Sequence, residues 1–124
     1  MYNKYWNKKI KYDWYKFNSK LEVRVYNYLK ENNYLILELE PVFLLQTKFK
    51  YEDKIIREIK YKSDFLIEMW DYKMIIEAKW MKTKDYIIKK KLFLYKMSDF
   101  EKEFDCKLKF IEIKNIKELK EKLL

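Results

Sequence analysis

Two apolar runs dominate the middle of the chain, and each carries an acid where burial is costly. One begins at Asp64 and continues Phe65, Leu66, Ile67. The other reads Met74, Ile75, Ile76, Glu77, Ala78, Lys79, Trp80. Together, Tyr61 to Trp80 predict two strands joined by a turn at Trp70 to Tyr72. Side chains alternate along a strand, so Glu77 and Lys79 share a face, about 7 Å apart in rise. Met74, Ile76, Ala78 and Trp80 take the other face. A hairpin brings Asp64 beside that pair. Two carboxylates and a lysine on one patch of sheet suit a divalent metal and a water, because facing carboxylates repel and a cation offsets the repulsion. The plainer reading points both acids and Lys79 to solvent, or pairs Lys79 with Glu77. Against it, each acid lies inside an apolar run and near a strand end.

Composition narrows the chemistry. The 124 residues suffice for one domain, with 29 Lys and Arg against 20 Asp and Glu, a formal charge of +9. That balance favours a polyanion, nucleic acid before an anionic membrane surface, although abundant Lys, Asn, Tyr and Ile also fit AT-rich codon usage. There is no His, no Gly and a single Cys, Cys106. Histidine bases, cysteine zinc clusters, intrachain disulfides, P-loops and glycine-rich dinucleotide loops are therefore excluded. Carboxylate, lysine, tyrosine and hard-metal chemistry survives. No apolar run approaches the ~20 residues of a membrane span, and the basic N-terminus lacks a signal-peptide core. The expected setting is cytoplasmic, with no membrane partner.

Residues 1–17 alternate basic and aromatic side chains, and strands at Lys8 to Tyr12 and Tyr15 to Phe17 are expected around a turn at Asp13 and Trp14. Such an arm suits phosphates and bases, or simply packs on the domain. Ser19 followed by Glu22 is a capping box for a helix to about Asn32. Leu21, Val25, Tyr28 and Leu29 give its inward stripe, and Glu22 leans toward that side. Strands are expected at Tyr34 to Glu40 and Val42 to Phe49, then one long strand from Ile55 to Glu68, then Lys73 to Trp80 to complete an antiparallel meander. Lys84 to Met97 predicts a helix with Ile87, Ile88, Leu92 and Tyr95 inward. Lys107 to Ile113 predicts a strand, and Asn115 caps a last helix with Ile116, Leu119 and Leu123 inward. A helix between strands implies a crossover and a mixed sheet. The expected fold is α/β (α+β): a single domain over 1–124, with an arm at 1–17, a core at 18–113 and a terminal helix at 114–124.

From Lys79 to Met97 there are seven lysines and one acid, Asp85. Lys91 has apolar helical neighbours and reads as inward-facing, in want of an anion. Lys82, Lys84, Lys89 and Lys90 read as phosphate contacts or as a solvated face; as a group the cluster favours nucleic acid.

These residues together resemble the PD-(D/E)XK nuclease superfamily. Asp64 takes the first acid, Glu77-Ala78-Lys79 the tripeptide, and Glu22 the acid of the first helix. A closer resemblance is to small phage-encoded domains related to endonuclease I and Holliday-junction resolvases. Lys8 and Lys9 through Asp13, Phe17 to Glu22, Leu39 to Phe43, Ser63 to Phe65, Ile76 to Lys79, Met81 to Lys84 and Lys89 to Phe93 fall in that family's order. The resemblance implies a restriction-endonuclease-like core with a mixed central sheet flanked by helices. It implies Mg²⁺ or Mn²⁺, hydrolysis of a DNA phosphodiester in branched DNA, a homodimer, and action in a host cell's cytoplasm. Glu22, Asp64 and Glu77 would ligate metal with the backbone carbonyl of Ala78, and Lys79 would be the catalytic lysine. Lys82, Lys84, Lys89, Lys90 and Lys91 are the nucleic-acid contacts expected from the charge cluster. Trp80 stands where the family has glycine, beside the expected phosphate path. A non-catalytic nucleic-acid-binding module on the same fold is the alternative, and a protein-interaction domain a third.

Overall fold

The computed structural model describes residues 10–13 and 15–124, without the side chains of Ile10 and Lys11. Most of the expected basic arm, including Lys8, Lys9 and Trp14, lies outside the described residues. Strands β1 (Ile10–Tyr12) and β2 (Tyr15–Phe17) form the anticipated hairpin, pairing Tyr12 with Tyr15. Its turn is carried by Asp13 at φ 50, a left-handed conformation that aspartate tolerates. Asp13 also accepts the Tyr26 hydroxyl at 2.5 Å, and the Tyr12 hydroxyl donates to Asn27 at 3.1 Å. These bonds dock the hairpin on helix α1 (Lys20–Glu31). That helix starts as its capping box requires: the Ser19 hydroxyl oxygen accepts the Glu22 N–H at 3.2 Å. It buries Glu22, Val25, Tyr26 and Leu29.

The chain continues through β3 (Ile36–Leu39), β4 (Val42–Gln46), β5 (Phe49–Tyr51), β6 (Lys54–Ile56), β7 (Ile59–Lys62), β8 (Phe65–Glu68) and β9 (Tyr72–Ala78). Then come α2 (Lys84–Tyr95), α3 (Met97–Phe104), β10 (Lys107–Ile113) and α4 (Ile116–Leu123). The main sheet has the order β10-β9-β8-β3. Strands β3 and β8, and β8 and β9, pair antiparallel, while β10 lies parallel to β9 after the crossover through α2 and α3. The sheet is therefore mixed, and the fold is α+β.

The long strand expected from Ile55 to Glu68 is three strands, because its parts have different partners. β6 pairs with β5, β7 with β4, and β8 with β3 and β9. The chain leaves the main sheet at Pro41 and returns at Ser63. There the Ser63 N–H donates to the Pro41 carbonyl at 3.0 Å, and the Glu40 N–H to the Asp64 carbonyl at 2.9 Å. The intervening residues form an antiparallel ribbon, β4/β7 at its root and β5/β6 at its tip.

Two apolar layers cover the sheet. Phe65, Ile67, Met74, Ile76 and Ile113 pack against Val25 and Leu29 of α1 and Leu119 and Leu123 of α4. Leu66, Ile75 and Leu108 on the opposite face meet Tyr86 and Phe93 of α2, Phe100 of α3, and Phe43 and Tyr61 of the ribbon root. Here the structure corrects the expected face of α2. Ile87, Ile88, Leu92 and Tyr95 are exposed, and so is Lys91. Aromatic packing rotates the helix: the Phe93 ring lies 4.7 Å from Phe43, 5.1 Å from Tyr61 and 5.5 Å from Phe110, centroid to centroid. Burying Phe93 in this cluster outweighs hiding the smaller aliphatic side chains, since a buried aromatic contributes more area and specific ring contacts. The expected helix also ends early, at Tyr95, and the short α3 follows without having been anticipated. It stops at Asp105 in the left-handed region, φ 54. Among the described residues no helix is long and apolar enough to cross a membrane.

Candidate active site

Strands β8 and β9 bring the two central acids together. Their ladder pairs Phe65 with Ile76, and one residue further Asp64 faces Glu77. The Asp64 carboxylate accepts the Ala78 N–H at 2.7 Å, which stitches the acid to the end of β9. Glu77 is buried, as its position inside an apolar strand requires, and accepts a hydrogen bond from the Tyr61 hydroxyl. Glu22 arrives from the first turn of α1 and is also buried. Its carboxylate accepts from the Asn18 N–H at 3.4 Å and the Ser19 hydroxyl at 3.5 Å. The helix-capping reading and the inward-acid reading of Glu22 therefore hold together.

Proximity and burial raise all three carboxyl groups. Burial pushes Glu22 up to about 7 from its ordinary 4.5; the Asn18 N–H opposes this, and the charges of Glu40 and Glu77 add to it. Asp64 is raised well above its usual range, first by burial and then by the charges of Glu77 and Glu22. Glu77 is raised by burial, with Tyr61, Asp64 and Lys79 pulling the other way. Among the described residues no ion pair within 4.0 Å reaches Glu22, Asp64 or Glu77. Lys79, one residue past β9, is half-buried with its ammonium 4.8 Å from the Tyr86 ring centre, a cation–π arrangement.

The site is flanked by two clefts. One, of about 270 Å³, is lined by Glu22, Glu40 and Asp64 with Lys16 and Phe17 of the hairpin. The other, of about 410 Å³, is lined by Lys79, Trp80, Lys82, Glu112 and Lys114. Trp80 forms a wall of the second cleft and is 63% exposed. Among the described residues no three acid or cysteine side chains stand as a ready-made metal cage. The donor chemistry fits a hard cation held by Asp64 and Glu77, since Mg²⁺ takes one or two carboxylates and completes its shell with water and phosphate oxygen. Glu22, turned toward its own helix start, is a neighbour of that pair.

A family model described as a protein of unknown function, DUF1064, matches residues 2–115. The chain belongs to that family. No curated protein matches it, and no solved structure does. The family description carries no chemistry.

The five lysines singled out as DNA contacts are placed differently from one another. Lys82 and Lys90 both bind Glu112, at 2.7 and 2.9 Å, and Lys89 lies 3.5 Å from Asp85. Lys84 and Lys91 are exposed and, among the described residues, have no ion-pair partner within 4.0 Å. Glu112 escaped notice as a site residue. It stands opposite Glu77 in the parallel β9–β10 register and also accepts the Tyr86 hydroxyl at 2.5 Å. Burial works to raise its carboxyl, but hydrogen bonds from Lys82, Tyr86 and Lys90 outweigh that and hold it at about 2. The available signal was its two-residue spacing from Leu108 and Phe110, which puts the acid on the same strand face as those two residues. Tyr61 was missed as the Glu77 partner because the two belong to different sheets.

Proposed function

We propose that this DUF1064 protein is a metal-dependent DNA endonuclease, selective for branched DNA. The observation that carries the reading is the convergence of Glu22, Asp64 and Glu77 at one end of β8 and β9. All three are raised by burial, Glu22 and Asp64 also by neighbouring acid charge; they have no ion-paired cation among the described residues and lie beside Lys79. Buried, unpaired negative charge is stabilised by a cation. The order helix, three antiparallel strands, crossover helix and parallel strand supports the same reading, because it is the core that the sequence resemblance implies.

Asp64 and Glu77 would hold Mg²⁺ or Mn²⁺, with the Ala78 carbonyl and Glu22 as further candidates. When bound, the metal supplies Lewis-acid activation of water and of phosphate oxygen. Lys79 presents an ammonium that orients the attacking water and offsets charge gathering on the phosphate oxygens. Tyr61 fixes the Glu77 carboxylate through its hydroxyl. A homodimer acting in the cytoplasm belongs to the same proposal, since a branched junction presents two symmetric cleavage points.

One observation favours a second reading, a non-catalytic nucleic-acid-binding module. Among the described residues every buried side-chain nitrogen and oxygen already has a hydrogen-bond partner, so the acids also serve as structural groups. Cleavage of a labelled four-way junction and a matched duplex in Mg²⁺, Mn²⁺ or EDTA separates the two. The nuclease reading expects metal-dependent junction cutting that Lys79→Ala abolishes with DNA binding retained. Tight binding without cutting in any metal would assign the module instead.

A further inference from the structure

The root of the ribbon between Pro41 and Ser63 meets the acid cluster through Tyr61, whereas its tip, β5 and β6, takes no part in that cluster and, among the described residues, packs chiefly on itself. Strands β5 and β6 pair Phe49 with Ile56, Lys50 with Ile55 and Tyr51 with Lys54. Partners across an antiparallel pair share a face. One face therefore carries Phe49, Tyr51, Lys54 and Ile56; the other carries Lys50 and Ile55. Phe49, Tyr51 and Ile55 are 47%, 62% and 67% exposed, so large apolar side chains are bare on both sides of a two-stranded ribbon.

Four cations accompany them: Lys48, Lys50, Lys54 and Arg57, against Glu52 and Asp53 at the turn. Among the described residues none of the four has an acid within 4.0 Å, whereas Lys60 and Lys62 nearer the root are paired to Glu58 and Glu40. Unpaired cations interleaved with flat rings match a phosphate backbone with sugars and bases between. The shape agrees, since a two-stranded ribbon enters the major groove of a duplex. The ribbon also starts at the acids: its root at Pro41 and Ser63 is hydrogen-bonded beside Asp64. From Val42 to the turn the chain spans at most ~30 Å, close to one turn of duplex, ~34 Å.

We propose that the β4–β7 ribbon is a DNA arm. It lies in a duplex groove with Lys48, Lys50, Lys54 and Arg57 on phosphates and Phe49 and Tyr51 against sugars and bases. It holds the duplex up to about one turn from the acids. The inference rests on the DNA part of the function proposed above and is independent of whether the acids cut.

The test is binding of the full protein to a labelled linear duplex in EDTA over a salt series. It compares wild type with Lys48→Ala/Lys50→Ala/Lys54→Ala/Arg57→Ala and, separately, Phe49→Ser/Tyr51→Ser. Melting curves check that the exposed changes leave the fold intact. The fourfold variant is expected to bind at least about tenfold more weakly and to lose roughly 3 from the slope of log K against log salt. The double variant is expected to bind more weakly with its slope kept. Wild-type affinity and slope in the fourfold variant would overturn the arm, whatever the cleavage assay shows. Unchanged DNA binding with altered self-association would make the ribbon a protein surface and also overturn it. Wild type that binds duplex but cuts no junction in any metal leaves the arm standing and removes the nuclease reading; wild type that binds no duplex overturns the arm and leaves the nuclease reading to the junction assay.

Discussion

Tyr61 of β7 donates its hydroxyl to Glu77 of β9, joining the ribbon to the main sheet at the acid cluster. The tyrosine is itself buried, and burial together with the Glu77 charge pushes its phenol far above the ordinary range. It therefore stays a donor at every working pH. Tyr61→Phe keeps the ring among Phe43, Phe93 and Phe110 but strands a buried carboxylate. The expected cost is about 1–3 kcal/mol in denaturant unfolding. The Glu77 carboxyl should also titrate higher in an NMR pH series. An unchanged Glu77 titration would show that the bond is not formed in solution.

Asp64 faces Glu77 at close quarters, so the fold tolerates repulsion at the site. Asp64→Asn keeps an oxygen for the Ala78 N–H and removes one charge. In EDTA the variant should melt as high as wild type or a few degrees higher, with ~1 kcal/mol gained where strain is relieved. Mg²⁺ should raise the melting temperature of wild type but not of the variant. An equal Mg²⁺ effect on both proteins would exclude Asp64 as a ligand.

Glu22 supplies a pH dependence. Its folded value, about 7, lies above the ordinary 4.5. Between those values the folded protein holds more protons than the unfolded chain, so stability falls as pH rises through this window and levels off above it. The loss attributable to Glu22 is on the order of 2–3 kcal/mol. Melting in EDTA from pH 5 to 8 should show the decline, and Glu22→Gln should lessen it. A wild-type melting temperature that climbs over this range would contradict the assignment.

Glu112 occupies Lys82 and Lys90. Glu112→Gln should free both ammonium groups for phosphate while loosening α2 against β10. The expected result is a stability loss of about 1 kcal/mol and a steeper salt dependence of DNA binding, by up to ~2 in the log–log slope. A slope equal to that of wild type would mean that the two lysines do not reach DNA.

Local chemistry was legible in the chain itself. The Ser19 and Asn115 caps, the hairpin at Asp13, the alternation along β9 and β10 and the face shared by Glu77 and Lys79 depend on neighbours a few residues away. Such patterns survive in any context. The pairing of Asp64 with Glu77 was also within reach, because it needs only a hairpin in register.

The tertiary structure decided what depends on distant partners. A strand-like run from Ile55 to Glu68 is divided in three because each part finds a different strand to bond. Helix α2 turns Phe93 inward and leaves Ile88 and Lys91 outside because the aromatic cluster it meets comes from β4, β7 and α3. Lys82 and Lys90 look alike with Lys84 in the chain, yet two are neutralised by Glu112 and the third has no ion-pair partner among the described residues, because only the parallel placement of β10 beside β9 brings that carboxylate within reach. Burial and charge are properties of the assembled neighbourhood, and sequence spacing fixes neighbours only along one element.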